Sequence, residues 1–158
     1  MFKHILVALD GSEYSRHALP AAIEVAKRFD SEVFVLHVHE EGRGRASSNP
    51  LETADDAARL VADAVQAVRG AGVPGRGHVS DLFGEHVGNG IVETASAQGS
   101  DLIVMGSRGL SGVESLVLGS VTQKVMHQAH TAVLVVRAPE SAREAAELEV
   151  AATKSSTA

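Results

Sequence analysis

Four short apolar runs constrain this chain more than any other feature. They are Ile5-Leu6-Val7-Ala8-Leu9, Val33-Phe34-Val35-Leu36, Leu102-Ile103-Val104-Met105 and Ala132-Val133-Leu134-Val135-Val136. None approaches the roughly 20 residues needed to span a membrane. None alternates apolar with polar either. A strand that is apolar on both sides must be covered on both faces, which is the mark of a parallel sheet. Between the runs lie stretches with apolar residues at helical spacing. Ala18, Leu19, Ala22, Ile23, Ala26 and Phe29 mark a helix over 13–29, and Ala57, Leu60, Val61, Ala64, Val65 and Val68 mark one from Thr53 to about 69. A weaker strand covers 77–82. A helix follows over 85–98, although Gly88 and Gly90 each weaken it by about 1 kcal/mol relative to Ala. A short helix is expected over 120–129. The order is βαβα, then βαβαβ. With right-handed crossovers it makes an open, doubly wound α/β sheet with helices on both faces.

Local punctuation refines this outline. Asp10-Gly11-Ser12 reads as a turn and a helix cap. Pro20 lies inside the first helical stretch, where it removes a hydrogen bond and is expected to kink the helix. Gly70, Gly72, Pro74 and Gly75 are expected to end the second helix. Residues 40–50 lack periodicity and are expected to be a mobile loop. Only one core is visible, so residues 1–138 are taken as one domain and 139–158, rich in Ala, Glu, Ser and Thr, as a partly disordered tail.

Composition narrows the function. The net charge is −6, and no basic face is visible for a nucleic-acid backbone. Aromatics are only 3%, too few for a base-stacking platform. There is no cysteine, which excludes disulfides, thiol catalysis and Cys-ligated metals. Residues 2–9 read as a strand and not as a secretory leader. These features fit a cytoplasmic protein with no membrane and no nucleic-acid partner.

In open α/β sheets ligands bind beyond the carboxyl ends of the strands. After the fourth strand comes Gly106-Ser107-Arg108-Gly109, then nine residues, then Gly119-Ser120 opening a helix. Gly106 and Gly109 would let backbone approach a ligand closely. Gly119 and Ser120 would place free N–H groups at a helix N-terminus, where phosphate is favoured, with the Ser120 and Thr122 hydroxyls adding hydrogen bonds. The spacing alone leaves a second reading open, in which these glycines only make tight turns.

The segment from Asp101 through Gly106-Ser107-Arg108-Gly109 to Leu118-Gly119-Ser120-Val121-Thr122 resembles the ATP-binding motif of the universal stress protein family. Residues 5–12 are similar to that family's first strand and turn, and residues 130–137 to its last strand. The resemblance spans roughly residues 2–138. It implies a Rossmann-like five-stranded sheet in the order 3-2-1-4-5, with ATP held between strands 1 and 4. It also implies the residue roles. Asp10 would sit at the ribose or at a divalent ion, Mg or Mn, carried by the nucleotide. Val38 backbone would meet the adenine, with Ala8 lining that pocket. Met105, Gly106 and Gly109 would border the ribose and phosphates, and Gly119, Ser120, Val121 and Thr122 would hold the phosphates. Arg108 is either a phosphate neutraliser or a solvated loop residue.

Other signals are weaker. The glycine-x4-glycine-Lys-Ser/Thr phosphate loop is absent, so fast phosphoryl transfer is not expected. The dinucleotide fingerprint is absent too. Among the eight histidines, His37 and His39 share one side of a strand and His127 and His130 lie three apart. Neither pair has an evident third ligand, which favours structural or surface roles. In the family's strand order the last strand is an edge, so Val133, Leu134, Val135 and Val136 are expected to pair with a second copy. The expected function is a stress-response regulator that binds ATP and presents a nucleotide-dependent surface to a protein partner. The alternatives are a dimeric interaction module that uses no nucleotide, and a slow ATPase or autophosphorylating protein.

Overall fold

The apolar runs become strands of one parallel sheet. A computed structural model describes residues 1–40, 52–82, 86–108 and 118–137. The strands are β1 (His4–Leu9), β2 (Glu32–Glu40), β3 (Gly75–Leu82), β4 (Leu102–Gly106) and β5 (Ala132–Val136), in the order β3-β2-β1-β4-β5. The helices are α1 (Glu13–Arg16), α2 (Ala18–Phe29), α3 (Ala54–Gly70), α4 (Val87–Ala97) and α5 (Ser120–Gln128). All neighbouring strands run parallel, in keeping with the unbroken apolar runs of β1, β2, β4 and β5; the edge strand β3 is mostly polar.

The two-residue period of a strand divides the core into two layers. Ile5, Val7, Leu9, Val33, Val35, Leu102 and Val104 face α2 and α3, where they meet Ala18, Ala22, Ala26, Val61, Ala64 and Val68. Leu6, Ala8, Phe34, Leu36, Ile103 and Met105 face the other way, onto Val87, Ile91, Ala95 and Val125 of α4 and α5. The contact face of α2 is built of alanines, which bring its backbone close to β1 and β4.

The first helical stretch divides earlier than the proline suggests. It breaks at His17, and Pro20 is the third residue of α2. The reason is steric. A proline ring excludes the carbonyl four residues before it, which here belongs to Arg16. Pro20 therefore sits in a first turn, where its missing N–H costs nothing.

Caps fix two of the starts. Ser12 caps α1 by accepting from the Ser15 N–H. Thr53 and Asp56 form a reciprocal capping box at α3, and hydrogen bonding to Thr53 holds the Asp56 carboxyl below its ordinary range.

Strand β3 starts at Gly75, two residues before the expected boundary. Gly75 belongs to the ladder with β2 and does not close the helix. Its value is closeness of packing. A Cβ at Gly75 would stand 2.7 Å from Val68 Cγ1, and one at Gly77 would stand 2.6 Å from Val61 Cγ1 and 2.9 Å from Val65 Cγ2. Helix α3 thus rests directly on bare strand backbone. Gly77→Ala should destabilise the fold by about 1–3 kcal/mol through overpacking. Gly70→Ala, in the last turn of α3 with nothing within 4 Å of the new Cβ, should be neutral or stabilising by up to about 1 kcal/mol. Urea unfolding of the two variants measures the contrast.

Candidate functional site

The chain leaving β1 crosses to the α2 face, and the chain leaving β4 crosses to the α5 face. Between these neighbouring strands the connections diverge, and the crevice at the carboxyl ends of such strands is where open α/β sheets take their ligands. Ala8 and Met105 stand opposite each other there, in register across β1 and β4. Both belong to the layer under α4 and α5, and Val38 packs against the same layer. Three residues from three separate strands therefore come to one face.

The turn after β1 is fastened by a small hydrogen-bond net. The Asp10 carboxylate oxygen Oδ1 accepts from the Ser12 backbone N–H at 3.0 Å and from Ser12 Oγ at 2.6 Å. The Ser15 hydroxyl donates to the Ser12 carbonyl at 3.0 Å and lies 3.3 Å from the Asp10 N–H, which it accepts. Ser12 and Ser15 are buried. Gly11 supplies the φ of +78° that turns the chain. Asp10 is thus held in one orientation by its own turn.

Gly106 meets this turn. A Cβ there would stand 2.8 Å from the Tyr14 carbonyl oxygen and 3.1 Å from the Ser15 nitrogen. The spacing suggested that Gly106 admits a ligand, but the backbone it admits in this structure is that of α1. Above the contact, the Arg108 guanidinium lies 5.8 Å from the centre of the Tyr14 ring, a cation–π distance.

The loop after β4 leaves and returns at one point. The Ser107 N–H donates to the Val136 carbonyl at 2.8 Å, and the Gly119 N–H donates to the Ser107 carbonyl at 2.9 Å. The Thr122 hydroxyl donates to the Gly106 carbonyl at 3.0 Å and is buried. Its proton therefore clamps α5 to β4, a use the spacing did not reveal. Gly119 is the N-cap of α5, and the first backbone bond inside the helix is Gln123 N–H to the Gly119 carbonyl. The N–H groups of Ser120, Val121 and Thr122 precede it and have no acceptor within the helix. They stand at the end of β4, and Ser120 is exposed. Gly109, the rest of the loop up to residue 117, residues 41–51 and the tail lie outside the described residues.

Lys124 is a turn further on. Its stem packs on α4, because a Cβ at Gly88 would lie 3.0–3.1 Å from Lys124 Cβ, Cγ and Cδ. That contact also explains a glycine where helix propensity disfavours one. At the opposite, amino end of the sheet, Glu32 accepts from Arg76 and contacts His4 at 2.9 Å. Hydrogen bonds from His4 and then Arg76 hold the Glu32 carboxyl below its ordinary value. This cluster is an ion-pair network away from the crevice. His37 was assigned a structural role by its lack of a metal-ligand partner set. It is buried with both ring nitrogens partnered.

Residues 1–137 match the model of the Universal stress protein family. The chain belongs to this family. Among curated relatives, universal stress protein MJ0531 of Methanocaldococcus jannaschii is 34% identical over 148 residues, covering 88% of this chain and 84% of that protein. Among solved structures, hypothetical protein MJ0577 is 27% identical with a TM-score of 0.76, covering 89% of this chain and 99% of that one. Two further universal stress proteins, 23% and 22% identical with TM-scores of 0.62 and 0.61, were solved with cAMP and with dAMP respectively. The second comes from Archaeoglobus fulgidus, and this chain covers 97% and 98% of the two. The family's sheet order is the one observed here. Among the described residues no helix is long and apolar enough to cross a membrane.

The clamp between α5, β4 and α1 has a measurable cost of removal. Thr122→Val should destabilise by about 1–2 kcal/mol, since the Gly106 carbonyl loses a buried donor. Gly106→Ala should cost about 1–3 kcal/mol, because the new methyl meets backbone and not a yielding side chain. Chemical denaturation of both variants checks the pair.

Proposed function

We propose that this universal stress protein binds ATP in the crevice between β1 and β4 and works as a nucleotide-dependent regulator of a stress response. The observation that carries the reading is the α5 N-terminus, where three N–H groups without helical acceptors stand beside the end of β4. A helix N-terminus favours negative charge, so a chain of net charge −6 gains its phosphate affinity locally. Ser120, Val121 and Thr122 offer these N–H groups, and Gly119 has no side chain to obstruct them. Ala8, Val38 and Met105 form the apolar face for base and ribose. Asp10, already oriented by Ser12, takes the ribose hydroxyls or a divalent ion. Gly106 and Arg108 border the phosphates, as does Gly109 beyond the described residues. Any Mg or Mn enters with the phosphates. Among the described residues no three His, Asp or Glu side chains converge, and Asp10 offers one carboxylate. The relatives solved with cAMP and dAMP support the fold alone at their level of identity, so ATP rests on the motif residues. Hydrolysis is expected to be slow, since no lysine stands between Gly106 and Gly119 to place positive charge on the phosphates.

The β5 edge supplies the partner surface. Leu134 is 37% exposed on a strand with one unpaired side, and a second copy paired along it would cover the apolar edge. Leu134→Lys should yield monomers where the native chain gives dimers by light scattering. A native monomer at micromolar concentration would contradict the pairing.

The nucleotide reading is tested with Ser120→Pro. Proline is well tolerated at the first helical position, and Gly119 before it is already extended at φ −69° and ψ 156°. The substitution removes one phosphate-facing N–H and leaves the helix intact. ATP affinity by calorimetry should fall about 10-fold to 100-fold, the worth of a charge-assisted hydrogen bond, with no loss of thermal stability. Ser120→Ala controls for the hydroxyl. Unchanged affinity in the proline variant would refute phosphate binding at this helix.

A further inference from the structure

We propose that His37 is a positioning residue for the crevice: a doubly protonated imidazole that bridges the Leu9 carbonyl and the Glu52 carboxylate, and lets go when it loses a proton. The functional half of this proposal rests on the nucleotide reading above. The bridge itself does not.

His37 lies on β2 opposite Leu9 and is 2% exposed. Its Nδ1 is 2.7 Å from the Leu9 carbonyl oxygen, and its Nε2 is 2.9 Å from Glu52 Oε2. Both partners are acceptors. A neutral imidazole has a single N–H and would turn a lone pair toward one of them. Two N–H groups satisfy both contacts, and the positive ring is matched by the Glu52 carboxylate, whose side chain stays 33% exposed. That exposure lets Glu52 remain partly hydrated, which lowers the desolvation cost of the pair.

The bridge acts on the site through one peptide plane. The Leu9 carbonyl and the Asp10 N–H belong to the same planar unit. His37 donates to the carbonyl, and Ser15 Oγ accepts from the N–H at 3.3 Å. The plane that carries Asp10 is thus held from both ends. The other end of the bridge is Glu52, directly before the Thr53 cap of α3. His37 therefore ties the start of α3 to the base of the crevice.

Among the described residues, Glu52 is the charged group placed against the ring. Just past β1, Asp10 turns Oδ1 to Ser12. On β3, the register partner is apolar Val79, and the neighbouring His78 is exposed. On α3, Asp55 and Asp56 are exposed, with Asp56 in the capping box. Helix α2 turns alanines to this layer. With the ring protonated the bridge holds. When the ring loses its proton, a lone pair faces the carboxylate, and the contact between His37 and Glu52 is lost.

Long-range proton–nitrogen spectra of nitrogen-15-labelled, nucleotide-free protein test the bridge, with His37→Gln assigning the resonance. The bridge requires two ring N–H groups at the acid end of a titration from about pH 5.5 to about 8.5. Loss of one should coincide with a drop in the amide protection factor, the intrinsic rise of exchange with pH divided out, at Asp10 and at the first turn of α3. Glu52→Gln separates charge from structure. Its side-chain amide can donate to a neutral ring, so exchange protection should persist at high pH. ATP affinity should fall about fivefold more across this range in the native chain than in Glu52→Gln, a comparison in which the titration of ATP itself cancels. A ring with one N–H throughout, or amide exchange that ignores the titration, would overturn the proposal. Spectra as expected with no ATP binding by either protein would uphold the bridge and overturn the nucleotide reading.

Discussion

At Gly106 the end of β4 lies against the backbone of α1 so closely that a methyl group there would stand 2.8 Å from the Tyr14 carbonyl. Much of the crevice depends on this contact. It sets how near the turn carrying Asp10 approaches the strand from which the α5 loop departs. The same residue's carbonyl receives the Thr122 hydroxyl, so one glycine joins α1, β4 and α5. The crevice is therefore not a gap left between independent loops. Its two walls are backbone segments in contact below it, with a helix N-terminus fastened to the junction.

The sheet was legible because four of its strands carry unbroken apolar runs, the pattern of a covered parallel sheet; β3, mostly polar, was legible only weakly. The strand boundaries of β1 and β5 follow from the runs themselves. Where legibility failed, tertiary packing had overridden local preference. Gly75 looks like a breaker, yet it lies in β3, with α3 resting on it. Gly88 disfavours a helix but makes room for the Lys124 stem. Pro20 marks a break, though the carbonyl it excludes belongs to Arg16 and the break falls at His17.

The site was partly legible. Its glycine and hydroxyl spacing located the end of β4 and the start of α5, and the resemblance brought Ala8 and Met105 to one pocket, although their register across β1 and β4 is visible only in the structure. The supporting partners were not. Ser15, Tyr14 and Glu52 carry no signal of their own, since each matters through a residue distant in sequence. Thr122 carried a signal for phosphate, yet its hydroxyl proton serves the Gly106 carbonyl. Only a structure shows which of two acceptors a hydroxyl has chosen.

The nucleotide reading is tested most directly by what the protein carries out of the cell. Gentle purification, denaturation and chromatography of the released material should yield about one adenine nucleotide per chain, ATP foremost. A protein that emerges empty, and then takes up none of ATP, ADP or cAMP at millimolar concentration, would contradict it. The β5 edge would then be the surface through which the fold acts.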